Sequence, residues 1–162
     1  MNEVQTIGKD IFLEQLAAVY DASGWFTGLK DALNGVTFEQ AVWQANESSN
    51  SIWGNLRHLA YWSEFFLEKY KPGTVGEIAH LENARTFDVP EQEKTEENWK
   101  REVVRLEQAI EGWRIAMNEN PGKLNEEYWT KLIAGYLLHT AYHIGQIVTI
   151  RKQQESWTAS GL

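Results

Sequence analysis

The chain has 162 residues, 43% hydrophobic and 23% charged, which suits one soluble domain, residues 1–162, with an enclosed core. Fifteen Lys and Arg against 23 Asp and Glu give a formal charge of −8, which repels a phosphate backbone and argues against nucleic acid as a partner. With no cysteine, thiolate nucleophiles, Cys-type zinc fingers and iron–sulfur ligation are excluded, and only His, Asp and Glu remain to hold a metal. The polar start, Met1 to Asp10, has no signal-peptide pattern, and no 18 apolar residues run together, so the expected location is cytoplasmic and away from membranes.

In the first segment Phe12, Leu16, Val19, Ser23, Phe26, Lys30 and Leu33 recur at alternating steps of four and three, which predicts one helix ending at Asn34 and Gly35. Thr37 with Gln40 three positions on reads as a capping box for one short turn, and the polar run Asn46 to Asn50 as a loop leading to the next N-cap. From Ser51 to about Tyr70 the four-three spacing returns in Ile52, Leu56, Leu59, Ser63, Phe66 and Tyr70, until Pro72 and Gly73 stop it. A third strip, Trp99, Val103, Leu106, Ile110, Trp113 and Met117, follows Thr95 with Glu96 and Glu97 in its first turn, and ends at Asn118 to Gly122. The last helix starts near Asn125 and carries Leu132, Tyr136, His139, His143, Ile147 and Ile150 on one stripe. Residues from about Trp157 to Leu162 read as a tail.

No run alternates apolar and polar residues long enough for a strand, and the three prolines all fall between proposed helices. The predicted fold is all-α, a four-helix bundle. The connection from about Pro72 to Lys94 is longer than a usual helix-helix loop, and at ~3.3 Å per residue it can cross a bundle of ~35 Å, so the second and third long helices are expected to run parallel.

Of the four histidines, His139 and His143 form an i, i+4 pair whose side chains leave the helix only ~40° apart and one turn up, a geometry in which two imidazoles bind one ion. Apolar neighbours on the stripe point both rings inward, where each nitrogen needs a partner; a buried Tyr or Asn would serve as well as a metal. His58, mid-helix and ~80 to 120° off its own apolar stripe, is expected to flank a helix seam beside that pair. Three neutral imidazoles suit a divalent transition metal, zinc first, with nickel, iron or manganese as alternatives, and they leave a coordination position open. His80 falls in the long connection and reads as a surface or loop-anchoring residue. The HExxH motif and the ExxH pairs of di-iron bundles are absent, and so is a phosphate loop.

The segment Ser51-Ile52-Trp53-Gly54-Asn55-Leu56-Arg57-His58-Leu59-Ala60, preceded by Ala32 to Thr37 and Trp43, and the segment His139-Thr140-Ala141-Tyr142-His143-Ile144-Gly145-Gln146-Ile147, followed by Arg151, resemble the motifs of the DinB/YfiT-like family of bacterial metalloenzymes. The resemblance covers nearly the whole chain. It implies a four-helix bundle with a long link between helices 2 and 3, a divalent metal on His58, His139 and His143, and often a homodimer. Better-understood relatives are thiol-dependent: some transfer a low-molecular-weight thiol such as bacillithiol to electrophiles, and others isomerise or assemble thiol-linked substrates.

The expected activity is therefore a metal-dependent transferase that activates a small-molecule thiol as thiolate against an electrophilic substrate. The same ligand set suits a metal-dependent hydrolase acting through bound water. A third reading is a noncatalytic, metal-stabilised helical stress or interaction protein, which the eight tryptophans would also fit. No general base stands out: Glu64, the nearest carboxylate to His58 in sequence, leaves its helix ~120° away. Asn55, Tyr61, Tyr142 and Gln146 are the candidates to support the ligands or touch substrate, and Tyr136 is a further hydroxyl whose packing role comes first. A second apolar strip, Leu137, Ala141, Ile144 and Val148, is expected to serve in part as a symmetric dimer contact.

Overall fold

The computed structural model describes residues 3–22, 24–73 and 80–158. Six α-helices follow one another: α1 (Glu3–Tyr20), α2 (Leu29–Leu33), α3 (Phe38–Val42), α4 (Ile52–Tyr70), α5 (Glu96–Glu119) and α6 (Glu127–Gln153). Short 3-10 turns occupy Asn83–Phe87, Glu91–Glu93 and Pro121–Asn125, and no strand occurs among the described residues. The long helices α1, α4, α5 and α6 enclose one apolar core, with Trp53, Leu56, Leu59, Ile110, Trp113 and Ile147 at its centre. The helix starts are set by side chains, as their sequences require. Thr37 and Gln40 form the full capping box of α3, Ser51 Oγ accepts from Gly54 N–H at 2.9 Å, and Thr95 accepts from Asn98 N–H.

The predicted first helix is in fact two. α1 closes at Tyr20, where Asp21 N–H and Ala22 N–H both bond Ala17 O, and α2 begins only at Leu29. The cause is visible at Gly28, the residue before α2. A Cβ there would lie 2.7 Å from Tyr20 O, so the chain folds back onto the end of α1 at a distance only glycine permits. Phe12, Leu16 and Val19 on α1 are buried and Leu33 on α2 packs against the same core, so the two ends of the predicted stripe lie on two separate helices. Of the predicted stripe, Phe26 is exposed in the intervening turn, Lys30 is exposed on α2, and Ser23 lies outside the described residues.

Side-chain pairs fix the helix directions. Trp53 meets Trp99 near the starts of α4 and α5 with ring centroids 5.7 Å apart, Trp113 Nε1–H donates to Ser63 O midway, and Tyr70 O–H donates to Asn120 O at the far ends. α4 and α5 therefore run parallel, as the length of the connection predicts. α6 runs antiparallel to α4: Asn55 meets His143 at one end, and Tyr70 meets Trp129 at the other. α1 covers the remaining side against α5, α6 and the Pro121–Asn125 turn. At the end of α6 the buried Arg151 donates to the carbonyls of Ala32 and Asn34, which ties α2 to the bundle, and Trp157 lies over its guanidinium at 5.2 Å.

The apolar strip expected to serve in part as a dimer contact is largely used within the chain. Leu137 and Ile144 are core residues, 3% and 2% exposed, with Ala141 and Val148 packed against the same core. The strip expected to contact a second copy is wide because α6 touches several neighbours within its own chain. The large apolar side chains that α6 does expose beyond its first turn are Leu138 and Tyr142.

Candidate metal centre

Three imidazoles meet in the seam between α4 and α6. His58 comes from the middle of α4 and is 2% exposed; His139 and His143 come from successive turns of α6. The Nε2 atom of His139 lies 2.9 Å from that of His58 and 3.0 Å from that of His143, and one nitrogen from each ring falls within 4.8 Å of the others. Metal–nitrogen bonds of ~2.0–2.1 Å separate two ligand nitrogens by about 2.9 Å at a right angle and about 3.4 Å at a tetrahedral angle, so the spacing fits one shared ion.

The outward-facing nitrogens decide the protonation of the inward ones. Thr86 Oγ1 lies 2.6 Å from His58 Nδ1 and gives its own proton to Asn83 O, also at 2.6 Å. Having no second proton, the hydroxyl can only accept, so His58 carries its hydrogen on Nδ1 and a lone pair on Nε2. Asn55 Nδ2 donates to Ser51 O, which turns Asn55 Oδ1 toward His143 Nδ1 at 2.8 Å; Gln146 Oε1 adds a second acceptor at 3.0 Å. His143 is thereby fixed in the same tautomer. Two lone pairs thus point at His139 Nε2, which can donate to at most one of them, and a cation is what satisfies all three.

Burial depresses the proton affinity of each ring. Desolvation, reinforced by His143 and His139, lowers the His58 pKa to about 3, and desolvation with His139 lowers that of His143 to about 4. His139 is lowered by desolvation as well. Near neutral pH the trio is uncharged, so an ion bound there keeps its full charge.

The approach of the linker to α4 is built into the sequence at Gly54. A Cβ on Gly54 would stand 2.9 Å from Phe87 O, so the missing side chain lets the Asn83–Phe87 turn settle on α4 one helical turn before His58. That contact brings Thr86 to Nδ1 and lays the Phe87 ring on the imidazole, with centroids 3.9 Å apart and planes 11° from parallel.

Residues 27–147 match the DinB superfamily. The chain belongs to that superfamily. The matched stretch contains all three histidines of the trio, the whole of α4, and α6 as far as Ile147. No curated protein and no solved structure matches the chain. No described helix of this DinB-superfamily protein is long and apolar enough to cross a membrane.

The remaining sequence candidates divide cleanly. Asn55 and Gln146 support His143. Tyr142 is 64% exposed and stands edge-on to His143, centroids 5.1 Å apart. Tyr61 accepts from Leu81 N–H at 2.7 Å, anchoring the linker. Tyr136 bonds Ser63 Oγ in the core, and His80 packs edge-on against Trp62 and Phe65. Glu64 is held in a fork by Arg105, with Nε and Nη2 at 2.8 and 2.6 Å from its oxygens. Sequence reasoning missed Thr86, Phe87 and Asn83, and also a groove of about 370 Å³ that starts at His139 between α4 and α6, walled by Trp62 and Phe66.

Proposed function

We propose that this DinB-superfamily protein is a metal-dependent transferase in which His58, His139 and His143 hold one divalent ion, zinc in the first instance, and a small-molecule thiol is transferred to an electrophilic substrate. The observation that carries the reading is the convergence of three Nε2 atoms, with the outer nitrogen of His58 already committed to Thr86 and that of His143 to Asn55 and Gln146. An ion on three neutral ligands lowers the pKa of a bound thiol, so that thiolate is present near neutral pH. The chain supplies the rest. Thr86 and Asn55 keep two ligand rings in the metal-binding tautomer, Phe87 covers His58 and limits water on that side, and the groove from His139 gives a second reactant access to the open side of the trio. Among the described residues no carboxylate joins the histidine group, which suits a reaction whose nucleophile is activated by the ion and not by a general base.

The test is elemental analysis of untagged protein, followed by assays of cellular thiols against a panel of electrophiles for the wild type and His58→Ala. One metal ion per chain, with thiol-dependent product lost in His58→Ala, supports the reading. Turnover with water as the nucleophile would replace transferase by hydrolase. Metal without turnover, accompanied by a lower melting temperature on chelation, would leave a structural metal. The homodimer that the resemblance implies belongs to the same proposal and would use a face other than the buried Leu137 strip; a monomeric mass at micromolar concentration removes it.

A further inference from the structure

We infer that the groove beside His139 binds a flat aromatic molecule, and that the electrophile of this protein is therefore aromatic and about the size of one or two fused rings. The inference rests on the transferase reading only in naming the ligand as a substrate. The groove has about 370 Å³ and is lined mainly by apolar surface, within the range of small-molecule sites. Its α4 wall is Trp62 and Phe66, whose rings are stacked at 5.6 Å and 21°. That wall is pre-set: Trp62 Nε1–H donates to Asn83 Oδ1 at 3.2 Å, and Phe65 and His80 brace the indole edge-on.

The opposite wall belongs to α6, where Leu132 and Tyr136 line the groove on either side of Gly135. Gly135 puts no side chain into the slot, and the position its Cβ would take has no atom within 4 Å. Tyr136, 7% exposed, turns its hydroxyl into the core onto Ser63. Polar groups stand at the two ends: His139 and the Asn83 amide at one, and the Lys131 ammonium at the other, eight residues or about 12 Å back along α6. A planar ring lying against Trp62 gains stacking that an alkyl chain of equal area does not, and its reactive carbon then faces the metal end. The slot left by Gly135 selects for thinness as well as for apolarity.

The test needs no turnover. Calorimetric binding of 2-naphthamide and octanamide, two neutral amides differing in the flatness of their apolar part, is measured on metal-loaded and chelator-treated protein for the wild type, Gly135→Leu and Trp62→Ala. Gly135→Leu adds bulk where the backbone has room and replaces a poor helix former with a good one, so the helix stays intact. The expected result is that 2-naphthamide binds the wild type about tenfold tighter than octanamide and loses about tenfold in each variant, while circular dichroism and metal content stay unchanged. Equal affinity for the two amides, or full 2-naphthamide affinity in Gly135→Leu, overturns the inference. A wild type that takes up no metal yet binds 2-naphthamide in a Gly135-dependent way sinks the transferase reading and supports the groove. A metal-loaded wild type without such binding sinks the groove alone.

Discussion

Helix α4 packs against both α5 and α6 and meets each with polar groups, but the two seams are built on opposite rules. Toward α5 the groups are charged and saturate one another. Glu102, 7% exposed, accepts from Trp53 Nε1–H and from Arg105, Arg105 forks onto Glu64, and Arg57 pairs with Glu93 at 2.6 Å. Toward α6 the groups are neutral, the outer nitrogens of His58 and His143 are satisfied, and the inner nitrogens of the three rings face one another. A saturated network has nothing left to bind with and sets the register of two helices. An unsaturated one keeps lone pairs that a cation could satisfy, and that difference marks the α4–α6 seam as the candidate site.

The sharpest way to break this comparison is to remove one member from each seam and ask which property fails. His58→Ala leaves two ligands and should weaken metal binding by about 10⁴-fold, roughly 5 kcal/mol at about 1.4 kcal/mol per decade, as read by competition with a chromophoric chelator. Retention of wild-type metal affinity would show that the trio does not hold the ion. Glu102→Ala strips a buried acceptor from Arg105 and Trp53 and should cost about 3 kcal/mol of stability in urea denaturation, with metal content unaltered. If Glu102→Ala instead emptied the metal site, the two seams would be one coupled network and the contrast between them would be wrong.

The same contrast explains what the sequence made legible. Periodicity located α4, α5 and α6 within a few residues because each has one continuous apolar stripe, with a side-chain cap as well on α4 and α5, and it placed His58 off the axis where the α4–α6 seam is found. It failed at residues 21–28 because a helical register does not record a chain reversal; the signal was Gly28, which periodicity scores as neutral. The ligand trio was readable from helical spacing, but the partners of its rings were not. Thr86 and Phe87 sit in a linker without periodic pattern, and they reach His58 through one close approach at Gly54 that no spacing rule foresees. The paired role of Glu64 was equally hidden, since its partner Arg105 lies 41 positions away.

Thr86 itself gives a finer cut through the α4–α6 seam. Thr86→Val keeps the shape and removes the acceptor, leaving His58 Nδ1–H without a partner and free to exchange tautomers. Loss of such a supporting contact should weaken metal binding by about 10- to 100-fold, less than loss of the ligand itself, with chelator competition as the measurement. Affinity equal to wild type would mean that the tautomer is held by something other than the Thr86 hydroxyl.

The smallest effect, and the most specific to neutral rings, lies in the pH dependence of the metal-stripped protein. In the unfolded chain a histidine takes up its proton near pH 6.5, whereas His58 in the fold does so only at about 3 and His143 at about 4. Between these limits the unfolded state holds more protons than the folded one, so stability rises with pH across the window and falls as pH drops below about 6.5. The slope contributed by His58 has a ceiling of about 1.4 kcal/mol per pH unit, and above about pH 5 most carboxylates are still ionised and add little. Subtracting urea-denaturation curves of His58→Ala from those of wild type between pH 6.5 and 5.5 should therefore leave a positive slope of about 1 kcal/mol per unit. A flat difference would mean that the folded seam accepts a proton as readily as water-exposed imidazole does, and the inward nitrogens would then not be the unsaturated lone pairs that distinguish this seam from the ionic one on the other side of α4.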